Sequence, residues 1–315
     1  MKTLMRLLGD AWLIVGQQFV LLYPLLLFPL LLSPLIAQAA ATGVQLDWKW
    51  VLLLATLVLL YYAFVAGWFS MIAQAVKLYV GQEQVALQAA SDIAAGRQPA
   101  EEVPVNPFIA PFRLFGAFLP GVGQFFASFA LGGGLQLTVM LALVFGMHTL
   151  IEQGLGYPPG LDKFATFQSQ AEANAFLLQL NPAQQEQFVG FIFAILGAIF
   201  AYGVFYLLTM LWAAYVVVYE VGAFRAYWMS IRRFFKDPFR LLLIAVVYAS
   251  ALMATAQLMT PGDSVFRMML DFLLILIKTL FSVVLVLYVY RVKQAETPVV
   301  ESLGGAEHPP SAASS

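Results

Sequence analysis

Six long apolar stretches, beginning near Pro24, Trp50, Val122, Phe188, Pro238 and Val265, alternate with polar segments along the 315 residues of the chain. A helix crossing a hydrocarbon core of roughly 30 Å needs about 20 apolar residues, and each stretch supplies them. The pattern predicts an all-α, polytopic membrane helix bundle of six transmembrane helices.

The segments ahead of three of these stretches have a helical period of their own. Phe224, Tyr227, Trp228, Ile231 and Phe234 recur at helix spacing, with Arg225, Arg232, Arg233 and Lys236 on the other side. Such a basic amphipathic helix suits the headgroup plane of a membrane. Asp237-Pro238 then breaks it, and the fifth apolar stretch begins. A similar stripe of Phe108, Phe112, Phe115 and Leu119 precedes Pro120, and one of Leu4, Leu8, Trp12, Val15 and Phe19 precedes Pro24. The order of amphipathic helix, proline, crossing helix and return helix thus occurs three times, in hairpin units of about 1-80, 106-219 and 222-292. Two explanations stand for it: internal repetition, or the aromatic and basic residues that any chain re-entering a membrane acquires at the interface.

Charge sets the expected orientation. With the N-terminus inside, twelve of the sixteen Lys and Arg residues fall on the cytoplasmic side, and Lys49, Lys163 and Arg267 on the other. Cations near helix ends resist translocation, so both termini are expected in the cytoplasm of a bacterial cell, with the chain in its inner membrane. Ala37-Gln38-Ala39 has the form of a signal-peptidase site, but the apolar region from Ala11 to Ala37 far exceeds a signal peptide's core of roughly 7 to 15 residues. An uncleaved first helix is therefore expected.

Composition agrees: 62% of residues are hydrophobic and 10% charged, against about 25% charged in soluble domains. The net charge of -1 argues against a nucleic-acid partner, which demands a basic excess. Between the units, residues 81–106 are expected to start as a short helix through Gln84-Val85-Ala86-Leu87 and become a polar linker. Residues 152–187 are expected to form the longest external loop, with glycine and proline turns and then an amphipathic helix from Leu161 to Leu180 that ends at Asn181-Pro182. Residues 1–292 form one transmembrane domain, and 293–315 read as a disordered cytoplasmic tail.

Little catalytic chemistry can be assembled. The two histidines, His148 and His308, cannot make a His-Glu-x-x-His site, and the chain has no cysteine. Ser70 lacks an evident base. An aspartyl protease would need two apposed carboxylates, and Asp271 stands alone within the spans. Gly132-Gly133-Gly134 lacks the Lys-Ser/Thr of a phosphate loop and points to close helix approach or a flexible point. Gly190, Ala194 and Gly197 in the fourth stretch, and Ala245, Ala249 and Ala251 in the fifth, suit tight packing. No catalytic, metal or cofactor set is expected.

The sharpest local anomaly is Lys278, midway along the last apolar stretch. Asp271 lies about two helical turns earlier on the same face, and Arg267 one turn before that. A lysine at mid-membrane costs roughly 2.5 to 3.5 kcal/mol on insertion scales, so sequestration inside the bundle is expected. Lys278, Asp271 and Arg267 form a candidate polar site, with two roles open: an ion, proton or headgroup site, or a structural lysine held by carbonyls or by Gln136 or Gln257. Pro24, Pro29 and Pro34 add a bend of the kind that lines transporter sites or simply joins interfacial and crossing segments.

Taken together, the lead-in from Arg6 to Pro34, Asn106-Pro107-Phe108 through Phe118, and Phe224 to Leu243 resemble a broad group of bacterial six-helix integral membrane proteins. That group includes the membrane domain ahead of some glycerophosphodiester phosphodiesterases. The likeness spans most of residues 1–292 and implies an integral membrane protein. No phosphodiesterase domain accompanies it, so it implies no such activity. The expected function is non-enzymatic: organising lipid, possible anionic lipid included, or a membrane-protein partner or second copy. Arg225, Arg232, Arg233 and Lys236 are the expected headgroup contacts. The alternative is a transporter or channel subunit with its polar site near Lys278 and Asp271.

Overall fold

The computed structural model describes residues 2–29, 48–95, 110–160, 170–258 and 264–296. Among them every regular element is helical and no strand occurs. Among the described residues, five helical stretches are long and apolar enough to cross a membrane: Val51–Ala94, Phe112–Gly154, Pro182–Tyr219, Pro238–Gln257 and Phe266–Glu296. The bent pair Leu4–Gln17 and Phe19–Pro29, turned by 92°, makes a sixth if counted as one span. The possible cleavage site at Ala37-Gln38-Ala39 lies outside the described residues, as do Pro34, Phe108 and His308.

In chain order the helices are α1 (Lys2–Gln17), α2 (Trp48–Ala94), α3 (Ala110–Phe115), α4 (Phe118–Leu150), α5 (Gln170–Gln179), α6 (Pro182–Thr209), α7 (Trp212–Tyr219), α8 (Ala223–Lys236), α9 (Pro238–Gln257) and α10 (Ser264–Glu296). A 3-10 turn, Phe19–Leu22, follows α1, and a π-helical turn, Ile151–Leu155, follows α4. The chain divides into two units, one of residues 1–130 and 211–315, the other of residues 131–210.

In the first unit the core gathers around the end of α10. Ser282 through Val289 are buried on every side of that helix, and α1, α2, α7 and α9 all pack against it. The earlier part of α10 is largely exposed, with Phe266, Met268, Met269 and Phe272 outward, though Leu270 is buried. The same division runs along α2, where Leu52 and Leu54 are exposed while Trp68, Met71, Ile72 and Val76 are buried. Exposed apolar halves are what helices present to lipid, whose tails are as apolar as a protein core.

Aromatic rings carry that core from helix to helix. Phe69 of α2 lies 5.5 Å from Phe129 of α4, Phe129 lies 5.2 Å from Trp212 of α7, and Trp212 stacks on Tyr227 of α8 at 5.2 Å. The breaks between helices are sealed by side chains, because an unpaired backbone group is costly away from water. The Trp68 indole N–H donates to the Leu21 carbonyl of the 3-10 turn at 2.9 Å, and the Leu211 N–H donates to Ser230 Oγ at 3.2 Å. Pro238 takes the first position of α9, where its missing N–H costs nothing.

Helices α2 and α4 cross closely at two glycines. A Cβ on Gly67 would come within 2.8 Å of the Phe118 ring, and one on Gly121 would overlap the Ser70 side chain. Ser70 is thus a packing residue at this crossing. Tight packing was expected instead around Gly197 of the fourth stretch, where a Cβ would meet nothing within 4 Å.

One further expectation is corrected. Residues 81–94 do not form a short separate helix: α2 continues unbroken for 47 residues, about 70 Å at 1.5 Å per residue. The buried stripe of α1 is Leu4, Leu7, Ala11, Ile14 and Val15, whereas Trp12 and Phe19 face outward. In α3 the inward residue is Leu114, and Phe112 is exposed.

The second unit holds the later part of α4, the π-helical turn, α5 and α6. Gly156 and Gly160 adopt positive φ, +72° and +76°, which glycine accepts without a Cβ penalty. Of the helix expected from Leu161 to Leu180, α5 covers Gln170–Gln179 and residues 161–169 lie outside the described set. Asn181 caps α6 reciprocally with Gln184, at 2.8 and 3.0 Å. His148 pairs with the Tyr157 hydroxyl and lies 3.5 Å from Glu152, a local contact at the turn.

Candidate membrane-interface site

Helix α8 presents three different faces. Ala223, Ala226, Tyr227 and Ser230 are buried against the unit. Arg225, Arg232 and Lys236, spaced seven and four residues apart, form an exposed basic face and make no ion pair among the described residues. Beside them run Phe224, Trp228 and Phe235, which are 71%, 66% and 72% exposed. Exposed cations beside exposed aromatic rings are a combination that interfacial helices carry.

Arg233, expected on the basic stripe, belongs elsewhere. It turns inward, its side chain 20% exposed. Its Nε donates to the Tyr288 hydroxyl at 2.8 Å, and that hydroxyl donates to Asp237 Oδ2 at 2.9 Å. Arg240 Nη1 meets the same carboxylate oxygen at 3.1 Å. Burial opposes the Arg233 charge, but the Tyr288 hydrogen bond, with Asp237 nearby, outweighs it and raises the guanidinium pKa. The break between α8 and α9 is therefore tied to α10 by a charged lock. Glu296 extends it, accepting from the Tyr219 hydroxyl at 3.1 Å, while Lys293 Nζ donates to the Val218 carbonyl at 2.7 Å. These two residues fall within the segment expected to be tail, yet they belong to α10.

A second network ties α1 and α2 to α10. Arg291 Nη2 meets Asp10 Oδ2 at 2.6 Å and Glu83 Oε2 at 3.5 Å; Glu83 also takes Arg6 at 2.6 Å. Tyr79 donates to Asp10 Oδ1 at 3.1 Å. Sequence reasoning missed these partners because they lie up to 281 positions apart. The only local signal was an acid, Asp10, set within an otherwise apolar and basic lead-in.

Lys278, Asp271 and Arg267 do share one face of α10, but all three are exposed, and no hydrogen bond or ion pair joins them among the described residues. The expected sequestration of Lys278 is thereby corrected: its neighbour Thr279 is the buried residue at that level, donating to the Ile275 carbonyl at 2.9 Å. No cluster of three or more His, Asp or Glu side chains that could hold a metal ion occurs among the described residues.

No family model, curated protein or solved structure matches the chain. Its functional reading rests on its own geometry.

Proposed function

We propose that this protein is a non-enzymatic, multi-pass protein of a bacterial inner membrane that organises lipid, or a partner protein, at the cytoplasmic surface. The observation that carries the reading is the pairing on α8 of three exposed cations with a flanking row of exposed aromatic rings. Each cation near an anionic leaflet contributes about 1 kcal/mol of attraction, while the rings occupy the interface beneath. Six crossings in three hairpins, with both termini cytoplasmic, place α8 on the leaflet side where the basic residues gather. A kinship with the bacterial six-helix group that includes glycerophosphodiester phosphodiesterase membrane domains is part of the same proposal.

The test replaces Arg225, Arg232 and Lys236 together by Gln and measures the anionic lipid that copurifies. A lower anionic fraction, with fold and insertion unchanged, supports the reading. Unchanged lipid content in the folded variant overturns it.

A further inference from the structure

Asp271, Lys278, Leu285 and Val292 follow one another at seven-residue intervals along α10, and Arg267 lies one turn before the first. Seven residues make about two helical turns, so the five share a face. Leu285 and Val292 are buried within the first unit, whereas Arg267, Asp271 and Lys278 are exposed. Beside the three charges the helix surface is apolar, with Met268, Met269, Phe272 and Leu273 exposed.

Charge does not cancel along this face. Arg267 and Asp271 are opposite in sign and one turn apart, but Lys278 lies about 10 Å along the axis from Asp271 at 1.5 Å per residue. No hydrogen bond or ion pair joins Lys278 to another described residue. It stands near the middle of the Phe266–Glu296 stretch, where an ammonium is costly in hydrocarbon. Charged residues at such depth almost always face a protein interior or a wet cavity.

We propose that this face of α10 is an intramembrane docking surface for a second membrane protein, which supplies a crossing helix with a carboxylate at the depth of Lys278. The carboxylate completes the charge pattern. The flanking Met and Phe side chains pack on the apolar remainder of that helix, methionine adapting to its shape. A second copy of this chain fits less well. Two copies oriented alike, related by a two-fold axis, bring Lys278 against Lys278 at one depth, and the cation distribution opposes an inverted copy. The proposal rests on the membrane reading above but not on the cations of α8.

The experiment places the full-length protein in phosphatidylcholine vesicles with a Leu-rich single-span peptide that carries one central Asp. Association is measured by energy transfer between labels on the two, and the same peptide with Leu in place of Asp is the control. The Asp peptide should bind about tenfold more tightly, the worth of one polar contact between helices in a bilayer. Lys278→Met should erase the difference. Arg225→Gln/Arg232→Gln/Lys236→Gln should leave it intact, which separates failure here from failure of the α8 reading.

A second measurement follows the face in cells. Leu274→Cys, one turn before Lys278, keeps the lysine in place. At native expression level it should lose most of its reaction with a lipid-soluble maleimide in the cell's membranes and regain it after purification, and adding Lys278→Met should remove the protection. Equal binding of the two peptides by the unaltered protein, a comparison that needs no variant to fold, overturns the proposal. Full labelling both in membranes and after purification does the same. Protection that survives purification assigns the face to a second copy if the mass is that of a dimer, or to the chain itself if it is that of a monomer, and either result overturns the partner.

Discussion

Arg291 Nη2 lies 2.6 Å from Asp10 Oδ2, closing the end of α10 onto α1 across 281 positions of sequence. The two side chains are 25% and 14% exposed, and Glu83 and Tyr79 complete their surroundings. Removing one partner of so enclosed a pair leaves the other charge unmatched. Asp10→Asn and Arg291→Gln should each lower stability by about 1 to 3 kcal/mol. The double variant should cost less than the sum, as read by thermal unfolding in detergent. Full additivity would show that the pair does not interact.

The crossing of α2 and α4 makes a steric prediction. Gly121→Ala would drive a methyl group into the Ser70 side chain, and overpacking of this kind costs about 1 to 3 kcal/mol. Ser70→Gly on the same background should recover most of the loss. Failure of that rescue would place the strain somewhere other than the Gly121 and Ser70 contact.

Arg233 and its basic neighbours on α8 should separate cleanly in experiment. Arg233→Gln breaks the contact with Tyr288 and weakens the lock around Asp237, so thermal stability should fall by about 1 to 3 kcal/mol with little change in bound anionic lipid. The variant that replaces Arg225, Arg232 and Lys236 should behave oppositely. Equal effects of the two on stability would contradict this division of labour.

The proposed topology follows from the distribution of cations. Reporter fusions after Gly43, Gly96, Gln170, Lys236, Gly262 and Ala295 should read out, in, out, in, out, in. An external signal at Lys236 would invert α8 and remove it from the cytoplasmic leaflet.

Because the sequence has no cysteine, single cysteines report cleanly on the two halves of α10. Lys278→Cys should react readily with a lipid-soluble maleimide, and Leu285→Cys, two turns on along the same face but buried, should be protected. Comparable protection at both positions would mean that another surface covers Lys278.

Much of the helical pattern was legible from the chain. Long apolar runs marked helices long and apolar enough to cross a membrane, and Asp237-Pro238 marked a break. The burial pattern was harder to read, for a physical reason. In water, an apolar face identifies the core; in a membrane both core and lipid are apolar, so Trp12 and Leu4 look alike in sequence although one faces outward and the other inward. Arg233 shows the same limit for charge. It stands beside Arg232, and only Tyr288, 55 positions away, distinguishes its role. The candidate polar site around Lys278 rested on helical spacing, which places residues on a face but does not say whether that face is covered.

The enclosure of residues 282–289 also governs when the protein can fold. These residues fill the centre of a unit whose packing partners, α1, α2, α7 and α9, are all synthesised earlier. The earlier helices can insert one after another as they leave the ribosome, but they surround an empty axis until α10 arrives. Assembly of this core therefore waits until α10 is made, and a chain stopped ahead of Ser282 would be inserted yet hollow, a ready substrate for membrane proteases.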